Sequence, residues 1–92
     1  MTRIVVKNLV FDRFNLSHIA KHKVEKSEVI EAGKDLVYHK RTYRGRYLAI
    51  GRAGTRLIAM VLKRETAGTY YLVTARDAAK KERSKVYEKE KK

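Results

Sequence analysis

Leu57-Ile58-Ala59-Met60-Val61-Leu62 is apolar at every position. A strand with such a run has both faces covered, at least in part, so it belongs at the centre of a sheet. Around it stand three more strand-like segments, Leu36-Val37-Tyr38, Arg46-Tyr47-Leu48-Ala49-Ile50 and Thr69-Tyr70-Tyr71-Leu72-Val73-Thr74. Tyr43-Arg44-Gly45, Arg52-Ala53-Gly54 and Thr66-Ala67-Gly68 separate them, each bringing a glycine to a turn that needs positive φ. Strands this close, joined this tightly, predict an antiparallel meander. Upstream, Arg3 to Phe11 reads as an opening strand. Asn15 is placed to cap a short helix with Leu16, Ile19 and Ala20 on one face, and Ser27 to cap a second with Val29, Ile30 and Gly33 inward. Gly33, near the end of that helix, is expected to take a left-handed conformation. Downstream, Asp77 is placed to cap a last helix whose apolar face is only Ala78, Ala79, Val86 and part of Tyr87. So thin a face predicts weak docking. The fold class is α+β, short N-terminal helices and a C-terminal helix packed on an antiparallel sheet. One domain is expected over 1–92, with 88–92 a frayed basic tail.

The chain has 92 residues and 23 Lys+Arg against 10 Asp+Glu, a net charge of +13. On so small a body that charge makes a polyanion the first partner to consider, ahead of an acidic protein. With 43% hydrophobic residues there is enough apolar material for a core. Cysteine is absent, which excludes disulfides, thiolate catalysis and thiolate-bound metals. No apolar run approaches the ~18 residues of a membrane span, and the N-terminus lacks the apolar stretch of a signal peptide. A cytoplasmic location without membrane contact is expected.

Hard-metal nuclease chemistry needs clustered carboxylates, and here they are scattered among lysines. His18 and His22 share a helix face at i, i+4, but nothing completes a metal set around them. No metal or cofactor is expected. Cleavage of RNA without metal needs other parts: a base for the ribose 2′-hydroxyl, an acid for the leaving oxygen, and cations for the charge that grows on phosphorus. Histidine and arginine are suited to these roles. His22 can act there or be an ordinary surface histidine. Arg76, Lys80, Arg83 and Tyr87 follow i, i+4, i+7, i+11, so they line one face if the last helix extends back to Arg76. That face can hold a phosphate and stack a base, or be a solvated charged face. Arg41, Arg44, Arg46 and Arg52 beside the turns, with Tyr43 and Tyr47 among them, fit an RNA surface or the polar face of a sheet.

Four segments in order resemble one known family. Asn15-Leu16-Ser17-His18-Ile19-Ala20-Lys21-His22-Lys23-Val24 resembles the first-helix motif of BrnT-like proteins, and Ser27-Glu28-Val29-Ile30-Glu31-Ala32 their second helix. Arg46 to Gly51 resembles their strand ending in Ile-Gly. Val73-Thr74-Ala75-Arg76-Asp77-Ala78 with Lys81-Glu82-Arg83 resembles their Ala-Arg plus Lys-Glu-Arg signature. The resemblance implies a RelE-like fold and a metal-independent ribonuclease toxin of a type II toxin–antitoxin system, with RNA as substrate and a cognate antitoxin as partner. A homodimer is left open. It implies His22, Arg76 and Arg83 as catalytic residues, with Arg46 and Arg64 among the basic residues that meet RNA over the sheet; His18, Lys80 and Tyr87 are expected RNA contacts from residue type and helix face. A non-catalytic nucleic-acid-binding module or a degenerate orphan homologue is the alternative. Lys23 stands where the family has glycine, so an altered turn is expected after the first helix, and after the second helix Asp35-Leu36 stands where the family has Asp-Pro.

Overall fold

The computed structural model describes residues 4–90. Its elements are β1 (Asn8–Val10), α1 (Arg13–Lys21), α2 (Lys26–Lys34), β2 (Leu36–Arg41), a 3-10 turn (Tyr43–Gly45), β3 (Arg46–Ala53), β4 (Arg56–Thr66), β5 (Thr69–Asp77) and α3 (Lys80–Glu90). The five strands form one sheet in the order β1-β5-β4-β3-β2. Strands β2 to β5 are the antiparallel meander read from the sequence. The opening strand is shorter than expected and pairs with β5 in parallel, so the sheet is mixed. A parallel neighbour needs a long crossover, and the whole chain between β1 and β5 supplies it. Arg3 lies outside the described residues.

The doubly apolar run of β4 is explained by what covers it. On one face Ile58, Met60 and Leu62 join Ile19 and Val24 from the α1 region, Val29 and Ala32 of α2, and Ala49, Leu72 and Ala75 of the sheet. On the other, Leu57 and Ala59 join Ile50, Ala78 and Val86 beneath α3. These are called the first and second faces below. The β4–β5 ladder is irregular: Leu62 opposes Leu72 while Val61 opposes Thr74, which leaves Val73 as an extra residue in β5.

Gly45, Gly54 and Gly68 take φ of +69°, +64° and +82°, as the turns demand. Gly33 instead lies inside α2, where a Cβ would approach Leu9 Cδ1 to 3.3 Å. Gly51 has the tighter constraint. A Cβ there would lie 1.9 Å from the carbonyl oxygen of Ala32, so α2 rests directly on the β3 backbone. Lys23, in the turn after α1, takes the left-handed conformation that glycine adopts without penalty, with φ +58°.

The helix starts are shifted from the sequence reading. Asp12 caps α1, accepting from the Asn15 N–H at 2.9 Å, while the Asn15 side chain accepts from the Asp12 N–H at 2.9 Å. Buried Asn15 also donates to the carbonyls of Val10 and Leu72, tying α1 to the sheet. Helix α2 is capped at Glu25 rather than Ser27, with the Glu25 N–H donating to Glu28 Oε1. Asp77 ends β5 and caps nothing; the Ala79 N–H at the start of α3 donates to Glu82 Oε1 at 2.7 Å. Residues 88–90, expected to fray, are helical, and 91–92 lie outside the described residues. Docking of α3 is as thin as expected, since Val86 is its one buried residue. A fully buried valine contributes ~1.5–3 kcal/mol. Carboxylates extend that hold at i ± 4: Glu82 pairs with Arg76 and Glu90 with Arg52.

Candidate nucleic-acid interface

Arg76 is a strand residue, so the four-residue helical stripe does not form. It pairs across the sheet with Ala59, which places it on the second face beneath the first turn of α3. There the Glu82 carboxylate grips it end-on, with Nη1 to Oε1 at 2.8 Å and Nη2 to Oε2 at 2.9 Å. Nη1 also donates to the Asp77 carbonyl at 3.1 Å. A guanidinium has five N–H donors, and three are spent. The remaining pair, Nε–H and the second hydrogen of Nη2, form the side-on fork that matches two oxygens of a phosphate. Among the described residues nothing takes that fork. Burial pushes the Glu82 carboxyl up, but the hydrogen bonds from Arg76 and the Ala79 N–H outweigh it and hold the group below the ordinary range. Lys40 of β2 adds to that pull. Arg76 is raised in turn, chiefly by its bond to Glu82.

Helix α3 covers only part of the second face. Strand alternation places Arg46 and its cross-strand partner Lys63 on the same face as Leu48 and Val61, and both cations are exposed. Lys40, opposite Leu48, adds a third. Arg83 is exposed on α3 and donates from Nε to the Ala78 carbonyl at 2.9 Å, which leaves its terminal nitrogens outward among the described contacts. Lys80 and Tyr87 are exposed on the same helix. The second face therefore carries Arg46 and Arg76 with Lys40, Lys63 and Glu82, while Arg83 and Tyr87 stand on the flank of α3 nearer Asp77 and Arg52, and Lys80 is exposed at the helix start. The composition gave no sign of which lysines these would be. Glu82 could have been found: a carboxylate three residues after a helix start is a capping signal.

The other predicted residues stand elsewhere. His18 and His22 are both exposed at α1, which packs on the first face, with ring centroids 5.4 Å apart. Neither contacts Arg76 or Arg83. Arg64 opposes Tyr70 and lines a first-face depression of about 310 Å³ with Tyr47, Lys7 and Gly68. One link connects the two sides. Glu28, in the first turn of α2, pairs with Arg56 at 2.8 Å, and Arg56 pairs with Asp77 at 2.5 Å. The start of α2 is thus tied to the end of the sheet where β5 stops and α3 begins. Among the described residues no three of His, Cys, Asp and Glu come together as a metal site, and no helix is long and apolar enough to cross a membrane.

No family profile matches the chain, and no curated protein matches it. Among solved structures it is similar to the crystal structure of the Brucella abortus ribonuclease toxin BrnT, with a TM-score of 0.63 at 21% identity. The alignment covers 79% of this chain and 97% of that one. The likeness shows the fold: the α+β arrangement implied by the four sequence segments is the arrangement found.

Proposed function

We propose that the chain is a cytoplasmic ribonuclease toxin, cutting RNA without a metal and held in check by a cognate antitoxin. The observation that carries this reading is the unspent fork of Arg76 on an open basic face, in a fold whose solved counterpart is a ribonuclease toxin. In the reaction the ribose 2′-oxygen attacks the adjacent phosphorus and loses its proton. The 5′-oxygen leaves and gains one, giving a 2′,3′-cyclic phosphate and a 5′-hydroxyl. Arg76 and Arg83 meet the charge on the phosphorane, and Glu82 holds Arg76 in place for it. His22 is assigned the proton transfers. Arg46, Lys80 and Tyr87 bind flanking RNA, and His18 and Arg64 bind it on the first face. The antitoxin is expected to present acidic patches to this surface.

The test is single-turnover cleavage in EDTA, with RNA affinity measured alongside. Arg76→Ala is expected to slow cleavage by ~10²–10³ while affinity changes little, because removing one such donor acts on the transition state. His22→Ala should cost a similar ~10²-fold or more. Full cleavage by His22→Ala removes that assignment and leaves the arginines. The separation of His22 from Arg76 and Arg83 favours one second reading, a module that binds RNA without cutting it. Wild-type protein that binds RNA and yields no cyclic phosphate would establish it.

A further inference from the structure

We infer that the groove between α3 and β2 seats a short single-stranded stretch of RNA, with a base stacked on Tyr38 and phosphates along Lys81, Lys85 and Lys89. The inference rests on RNA being the partner of the second face and adds a binding site to it. Helix geometry provides the lysine row. Glu82, Val86 and Glu90 are the stripe that faces the sheet, through Arg76, the core and Arg52. Lys81, Lys85 and Lys89 are the residues immediately before each of these, so they form a parallel row one step around the helix. The row spans about 12 Å of helix.

Two adjoining depressions show which way the row faces. One, of about 320 Å³, lies over Tyr38 and Leu48 and is rimmed by Lys40, Lys81 and Lys85. The other, of about 360 Å³, is formed by Tyr38, Lys85, Glu88 and Lys89. They share Tyr38 and Lys85, so they read as one groove with an aromatic ring in its floor. Tyr38 is half-buried against the second-face core, which fixes its ring without covering it. Four lysines line the groove. Of its two carboxylates, Glu82 is already committed to Arg76, which leaves Glu88.

That combination selects its occupant. Cations track a phosphate backbone, and an exposed ring stacks any unpaired base. A duplex can reach the lysines, but its bases are already stacked and cannot descend to the ring. An acidic peptide satisfies the lysines and has no use for the ring. Glu82, the partner of Arg76, lines the same groove, so a strand lying in it passes beside the Arg76–Glu82 pair.

The test uses an uncuttable 2′-O-methyl octamer, an abasic octamer of equal charge, a duplex, and a polyglutamate peptide, each measured by fluorescence anisotropy. Wild type should bind the octamer about tenfold or more tighter than the abasic strand, the scale of one base–aromatic stack. Tyr38→Leu should reduce that preference by about tenfold and leave abasic binding unchanged; Tyr38→Phe should keep it. The double change Lys85→Ala and Lys89→Ala should reduce the slope of log affinity against log salt by about 1.4, two phosphates on a single strand. It sits on exposed helix positions and carries the test if Tyr38→Leu does not fold. An octamer preference untouched by Tyr38→Leu, an unchanged salt slope, or polyglutamate bound as tightly as the octamer overturns the inference. Its failure is distinct from failure of the ribonuclease reading. Wild type that cuts RNA with Tyr38 indifferent loses the groove alone. Wild type that shows the octamer preference and cuts nothing loses the nuclease alone.

Discussion

Replacing Gly51 by alanine should be among the most damaging single changes in this chain, although the site lies in the interior of a strand where alanine is ordinarily harmless. The added Cβ would sit 1.9 Å from the Ala32 oxygen, 2.6 Å from its carbonyl carbon and 2.9 Å from its Cα. All three are backbone atoms, so no side chain can swing aside. Restoring an ordinary contact of 3.4 Å requires a displacement of 3.4 − 1.9 = 1.5 Å between α2 and β3. Val29 and Ala32, both fully buried, leave their places against Ala49 and Ile58 if α2 moves that far. Overpacking a core costs ~1–3 kcal/mol where side chains can adjust, and here they cannot, so a loss of at least ~3 kcal/mol is expected. A domain of this size holds only about 5–14 kcal/mol in all. The melting temperature should fall by more than about 12 °C. Gly54→Ala is the control. A Cβ there has nothing within 4 Å, so only its φ of +64° resists, at about 1 kcal/mol. Urea and thermal unfolding of both variants give the comparison. Gly51→Ala within 1 kcal/mol of wild type, or no worse than Gly54→Ala, would refute the steric argument.

Lys23→Gly should stabilise the protein by about 1 kcal/mol, since a lysine is held at φ +58° where glycine has no penalty; chemical denaturation measures it. Acid should weaken the fold through Asp12, Glu28 and Asp77. Their folded-state pKa values are lowered, chiefly by the Asn15 N–H, the Glu25 N–H and the Arg56 side chain respectively. A lowered value means the unfolded chain takes up protons first. The stability they add is present in full above the ordinary carboxylate range and is lost as pH falls through the folded values. The urea midpoint should therefore be flat from pH 7 to about 5 and decline below it. Cleavage should persist in EDTA and gain nothing from added Mg²⁺; activity that requires the metal would remove the proposed chemistry.

The meander was legible because its signals are local. Gly45, Gly54 and Gly68 sit where three turns require positive φ, and the apolar run of β4 announces cover on both sides. The parallel pairing of β1 was not, because it joins residues some sixty positions apart with no turn between them to mark it. The α1 cap was misplaced by three residues because Asp12 and Asn15 cap each other reciprocally, and either looks sufficient alone. At the site, arginine and histidine could be named from residue type and motif. Which face each would occupy depended on pairing register and on the reach of Glu82, neither of which helical spacing records.

The extra residue in β5 has a consequence for how this chain tolerates change. Alternation along a strand is a matter of parity, and an insertion of one reverses it for everything that follows. Leu72 points to the first face; counting on by twos without Val73 as an extra would send Arg76 there as well, among Met60 and Ile58, and turn Ala75 out beneath α3. The guanidinium reaches Glu82 because the count is odd. Deleting Val73 would leave Thr74, Ala75 and Arg76 opposite Val61, Met60 and Ala59 as they are now and remove only the irregularity, whereas pairing Val73 regularly with Val61 would bring Arg76 opposite Ile58 and exchange a buried methyl for a buried cation. In this chain the loss of one residue at position 73 is a change of packing, whereas the loss of the irregularity with all residues kept is a change of chemistry.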